Sequence, residues 1–170
     1  MYPSTIIVFL AFAGSATIVN SAVITGTNGA GTSPAERHQI TQSQAQMVID
    51  AAVKQAKKIG QPMNVAVVDF SGHLVAFQRM DNAWPGSIDV SMKKAKTCSL
   101  FYGFTTASLY NAAQPGAPLY GIEETNGGLI VFGGGLPIYK KGILIAAIGV
   151  SGGTVDQDVA VAQAGVSVFN

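Results

Sequence analysis

The sequence predicts an α+β domain in which helices cover an antiparallel sheet, and three observations predict it. Capping boxes open amphipathic helices near both ends of the chain, at Thr41 and at Thr154. Between them lie β-rich runs joined by short turns, so hairpin connections dominate. The 170 residues, 48% hydrophobic and only 11% charged, suit one domain around a single core.

The charged fraction is less than half the ~25% of ordinary proteins, which excludes a charged coiled coil or a disordered tail and implies that other subunits cover apolar surface. A homo-oligomer is therefore expected. Ten basic residues against nine acidic ones give a net charge of +1, and the lysines are dispersed, so no nucleic-acid partner is expected.

In chain order, residues 1–22 read as a secretory signal peptide. Ile6 to Ala13 (IIVFLAFA) is an apolar run followed by small residues, with a cut expected near Ser21 or Ala22. The run falls well short of the ~20 residues of a membrane span. The mature protein is expected to be secreted or to lie in the secretory-pathway lumen, with no membrane partner. Residues 23–39, rich in Gly, Thr and Ser, read as a flexible leader before a domain at 40–170.

Thr41 and Gln44 form the first capping box, with Ile40 before them. Ala45, Val48, Ala52, Ala56 and Ile59 then recur at helical spacing until Gly60 and Pro62 end the run. Asn64 to Asp69 (NVAVVD) predicts a strand buried on both faces, and Ser71-Gly72 turns the chain into Leu74 to Gln78. Ser87 is the expected cap of a helix running to about Phe101, with Ile88, Met92, Ala95 and Ser99 on one face. A short helix over Thr105 to Ala113 and a loop over Gly121 to Asn126 follow. Strands are expected at Leu129 to Phe132, Leu136 to Tyr139 and Ile143 to Val150, the last almost wholly apolar and so central. Thr154 and Gln157 form the second capping box, and Val155, Val159, Ala162, Val166 and Phe169 trace the closing helix. Cys98, mid-helix among apolar neighbours, reads as a small core residue.

Four stretches carry a family resemblance: VAVVDFSGHLVAFQRMD at 65–81, GSIDVSMKKAKTC at 86–98, GGGLPI at 133–138 and IGVSGGTVDQDVAVAQAG at 148–165. They resemble the GlcG/HbpS-like family of haem-binding or haem-degrading domains, related to the C-terminal domain of PduO-type proteins. The likeness covers residues 40–170. It implies a profilin-like α/β sandwich, an antiparallel sheet of about five strands flanked by helices, assembled into dimers or rings. It also implies haem or a related tetrapyrrole as a possible cofactor, although function varies within the family and fold alone does not assign it.

Against that background His73 is the most informative polar residue, since imidazole is a common axial ligand of haem iron. The same histidine could equally fix the hairpin turn through Asp69. Arg79 suits a propionate or substrate carboxylate, or else an ion pair with Asp81 or Asp69. Trp84 and Phe77 are candidate apolar walls. Lys94 and Thr97, three apart on a helix, are candidates to meet an anionic group and offer a hydroxyl, or else are a solvated lysine and a backbone-bonded threonine. Gly134 and Gly135 permit close approach of a flat ligand, or make a bulge. His38 could add a second ligand from the leader, or simply be exposed.

Two functions follow from the same residues. The first is a secreted, oligomeric protein binding haem or another tetrapyrrole, with His73 on the metal. The second is a cofactor-free isomerase, lyase or cyclase acting on an oxygenated metabolite, with Asp69, His73, Asp81, Lys94 and Glu123 as acid-base groups. An assembly protein without chemistry is the third possibility. Two histidines 35 positions apart and one cysteine exclude a preformed structural zinc site. Gly149 to Gly153 matches the GxSxG pattern, but no histidine follows Ser151, which excludes an α/β-hydrolase triad. Ser151-Gly152-Gly153 reads instead as a helix-entry loop whose backbone N–H groups could hold an anion.

Overall fold

A computed structural model describes residues 32–169. The expected signal peptide and the first part of the leader lie outside the described residues. Within them, α1 (Gln42–Lys58) is followed by β1 (Asn64–Asp69), β2 (Leu74–Arg79), α2 (Gly86–Leu100), three 3-10 turns, β3 (Gly135–Lys140), β4 (Ile143–Ser151) and α3 (Val155–Val166).

The sheet has the order β2-β1-β4-β3, antiparallel throughout. It contains four strands rather than five. Leu129 to Phe132 takes no place in it because its backbone donors are used elsewhere: Leu129 N–H bonds the Glu123 carbonyl and Ile130 N–H bonds Thr97 Oγ1. A hydroxyl on α2 thus satisfies a group that a sheet ladder would otherwise need.

Both capping boxes form. Thr41 and Gln44 exchange bonds at the start of α1, as do Thr154 and Gln157 at the start of α3. Ser87 does not cap α2: Pro85 occupies that position without a side-chain bond, and Ser87 is buried as the second residue of the helix. The short helix expected at Thr105 to Ala113 is two 3-10 turns, Thr106–Leu109 and Asn111–Ala113, and the expected loop contains a third, Ile122–Glu124.

Helices α1 and α3 cover one face of the sheet, joining Val48, Ile49, Val65, Val67, Ile148 and Val161 into the main core. Each large aliphatic side chain buried there is worth ~1.5–3 kcal/mol. Helix α2 covers the other face with Ala95 and Cys98 against Val68 and Ala147. The helix lies unusually close to the strands: a Cβ on Gly149 would fall 2.0 Å from Ser91 O and 2.5 Å from Ala95 N, and one on Gly135 2.7 Å from Lys94 O. Its inward residues are consequently small or polar, among them Ser91, Lys94, Ala95, Cys98 and Ser99; of the face that the sequence suggests, Ala95 and Ser99 are buried, while Ile88 and Met92 are only half-buried.

Helix α3 is also turned relative to expectation. Its buried face is Asp158, Val161, Ala162 and Gly165, while Val155 is 45% exposed. A buried ion pair to Asp158 sets that rotation.

Candidate functional site

The β1–β2 turn is locked by Asp69. Its Oδ1 accepts the backbone N–H groups of Ser71 (2.8 Å) and His73 (3.0 Å), and its carbonyl accepts Ser99 Oγ from α2 (2.9 Å). The His73 imidazole takes no part in this network at bonding distance: Nδ1 is 3.8 Å from Asp69 Oδ1, and the side chain is 82% exposed. The backbone of His73 fixes the turn, and its ring stands free in solvent.

Beside this turn runs a groove of about 230 Å³ between the hairpin and α2, lined by Val68, Leu74, Met92, Lys93 and Lys96. Lys93 is paired with Asp89 at 2.7 Å. Lys96 donates to the neutral carbonyl of Asn126 at 2.8 Å and so keeps an uncompensated charge. Phe70, Leu74 and Leu100 are exposed nearby, with Gly72 packed on Leu100.

The remaining predicted residues fall elsewhere. Arg79 lies at the far end of β2 from His73, roughly 17 Å along a strand of that length. With Asp81 it borders a separate depression of about 240 Å³ against Val53 and Lys57 of α1. Among the described residues Arg79 forms no ion pair, so the expected bridge to Asp81 or Asp69 is absent. Trp84 is 63% exposed, and its carbonyl is held by Asn64 Nδ2 at 3.0 Å. Phe77 is half-buried. Glu123 belongs to the third 3-10 turn, with a buried Oε2 that no donor meets.

Lys94 and Thr97 sit in the interior. Lys94 is 0% exposed and donates to Asp158 Oδ2 (2.6 Å) and to the Val150 carbonyl (2.9 Å), with Nζ 4.8 Å from the centre of the Phe132 ring. Its anion is therefore a residue of the same chain rather than a ligand. Burial pushes the Lys94 ammonium down and the Asp158 carboxyl up in pKa, while their mutual hydrogen bond and charge oppose both shifts. Thr97 donates to Lys93 O and accepts Ile130 N–H, the backbone-bonded alternative.

Gly134 and Gly135 serve this buried cluster. A Cβ on Gly134 would lie 2.7 Å from Lys94 Nζ, and one on Gly135 2.6 Å from Thr106 Cγ2. Gly134 also sits at φ +114, a region few side chains tolerate. The loop after β4 holds no external anion with its Gly153 N–H, which bonds Asp158 Oδ1 at 3.0 Å. Asp158 is the residue sequence reasoning missed. Its place in the first turn of α3 suggests a helix-dipole role, and nothing at a separation of 64 positions signals Lys94 as its partner.

Of the five acid-base candidates only Asp69 and His73 adjoin. Concerted proton transfer needs groups within hydrogen-bond reach of one substrate, and Asp81, Lys94 and Glu123 are not brought to the hairpin turn.

Fold and site together define a small α+β domain that presents an exposed histidine on an apolar rim beside lysines. The family described as haem degrading protein HbpS-like matches residues 40–167, and the chain belongs to it. It is 42% identical over 133 residues to an uncharacterized 15.0 kDa protein from the dhaT-dhaS intergenic region of Citrobacter freundii, covering 77% of this chain and 92% of that one. Among solved structures it resembles the PduOC–haem complex, with 34% identity, a TM-score of 0.73, and coverage of 78% and 96%. It also resembles a double mutant of Streptomyces reticuli HbpS, with 30% identity, a TM-score of 0.73, and coverage of 88% and 96%.

Proposed function

We propose that this protein binds haem or a related tetrapyrrole, and that it does so as an exported assembly of several copies. The observation that carries the reading is the free imidazole of His73, held on a rigid turn beside apolar side chains, in a chain similar to a solved haem complex. Bound haem supplies an iron able to accept an imidazole nitrogen. His73 would hold that iron, Phe70, Leu74 and Leu100 would shield the ring, and Lys96 would meet a propionate.

The fit also supports assembly. The groove beside His73, at about 230 Å³, lies below the ~300–1,000 Å³ of pockets that enclose drug-sized ligands. One copy supplies one wall, and a second copy closes the site. The low charged fraction agrees with that arrangement. The apolar run at the N-terminus supports export.

Titration with haemin tests the reading. A saturable, sharpened Soret band is expected, and His73→Ala should weaken binding at least about tenfold, the loss of one ~1.4 kcal/mol interaction. Unchanged binding by that variant would remove His73 from the metal. Export is checked by the mass of protein recovered from the medium, which should lack the first twenty or so residues.

A further inference from the structure

A third cavity opens on the sheet face that carries α1, away from the groove beside α2 and the depression beside Arg79. It measures about 270 Å³ and lies between the end of the leader and the β3–β4 turn. Its construction begins with a bulge. Ile138 pairs with Ala146 and Tyr139 with Leu144, so Ile145 opposes no residue of β3. The Ile145 carbonyl instead accepts Ile40 N–H at 3.2 Å and ties the leader to the sheet.

The walls differ in character. Ile143 and Ile145 supply apolar lining, while Lys140 and Lys141 at the β3–β4 turn and His38 and Gln39 of the leader supply polar lining. Among the described residues no carboxylate lines the cavity and neither lysine forms an ion pair. Two lining residues are held in the left-handed region, His38 at φ 56 and Lys141 at φ 51. Lys141-Gly142 is a two-residue hairpin turn with both φ positive, where Asn, Asp or Gly would be the easier first residue. Backbone cost at two residues of one cavity, together with unneutralised positive charge over an apolar wall, is the pattern of a built site.

We propose that this cavity binds a small organic carboxylate with a short apolar tail. The lysines meet the carboxylate and the isoleucines meet the tail. Such a site is independent of the haem reading, because it shares no lining residue with the groove beside His73.

Hexanoate is the probe, followed by amide NMR on the full chain at fixed ionic strength, with hexanol and inorganic phosphate as the uncharged and tail-free controls. Saturable shifts are expected at Gln39, Thr41 and Lys141, with both controls binding more weakly. Lys140→Gln with Lys141→Gln should weaken hexanoate at least about tenfold, the effect of losing one charge-assisted bond. Ile143→Ser should weaken hexanoate while leaving weak phosphate binding unaltered. An absence of saturable shifts overturns the proposal. So does equal affinity for phosphate and hexanoate, which would reduce the cavity to surface lysines, or full affinity in the double lysine variant at unchanged melting temperature.

Discussion

Lys94 and Asp158 illustrate how one contact at residue scale overrides local pattern. The pair turns α3 so that a carboxylate faces inward and Val155 faces out, against the hydrophobic spacing of the helix. Removing one partner leaves an uncompensated buried charge, so Asp158→Asn or Lys94→Met is expected to cost ~3–5 kcal/mol in urea unfolding. Replacing both by apolar residues of similar size should recover much of the loss, since desolvation weighs against both ions. Cys98 gives a pH-dependent counterpart. Burial raises its thiol from 9.0 to about 12. Above pH ~9 the unfolded chain releases that proton while the folded one keeps it, so stability should fall as pH rises from about 9 toward 12. At neutral pH the native thiol should resist thiol reagents that label the unfolded chain. Sequence reasoning placed Cys98 in the core because neighbours in sequence sufficed; it missed Asp158 because the partner is distant in sequence.

Elements with their own local signals were legible and those defined by close approach were not. The capping boxes of α1 and α3, the β1–β2 hairpin and the central β4 follow from side chains a few positions apart. The strand expected at Leu129 to Phe132 fails because Thr97 Oγ1 takes one of its N–H groups, a bond no periodicity announces. The seat of α2 is likewise a matter of backbone proximity. Gly149→Ala places a methyl against the α2 backbone at Ser91 and Ala95, neither of which can swing aside. A loss of at least the ~1–3 kcal/mol of an overpacked core is expected by thermal or urea unfolding. Thr154→Ala, which removes a cap without a clash, should cost only ~1 kcal/mol in the same assay.

At the scale of the whole molecule the predicted site residues scatter, with Lys94, Thr97, Gly134 and Gly135 in the interior and the hairpin's own candidates split between its two ends. Asp69 and His73 share one end of the hairpin, while Arg79 and Asp81 lie at the other. Among the described residues no single recess gathers both, because the hairpin that joins them in sequence separates them in space. If a second copy completes the groove beside His73, haemin affinity should fall on dilution of the protein over about a hundredfold range, as mass action requires. Affinity independent of protein concentration would place the whole site on one copy.

The four-strand order has one more consequence. β2 and β3 end the sheet, but β3 contains Pro137, and its first N–H, on Gly135, is already held by Thr106 Oγ1. β2 (LVAFQR) has no such stop. Growth by strand addition is thus open on one flank only. Two molecules joined through that flank would leave nothing for a third to add to, so this route ends in a closed pair and not in a fibre.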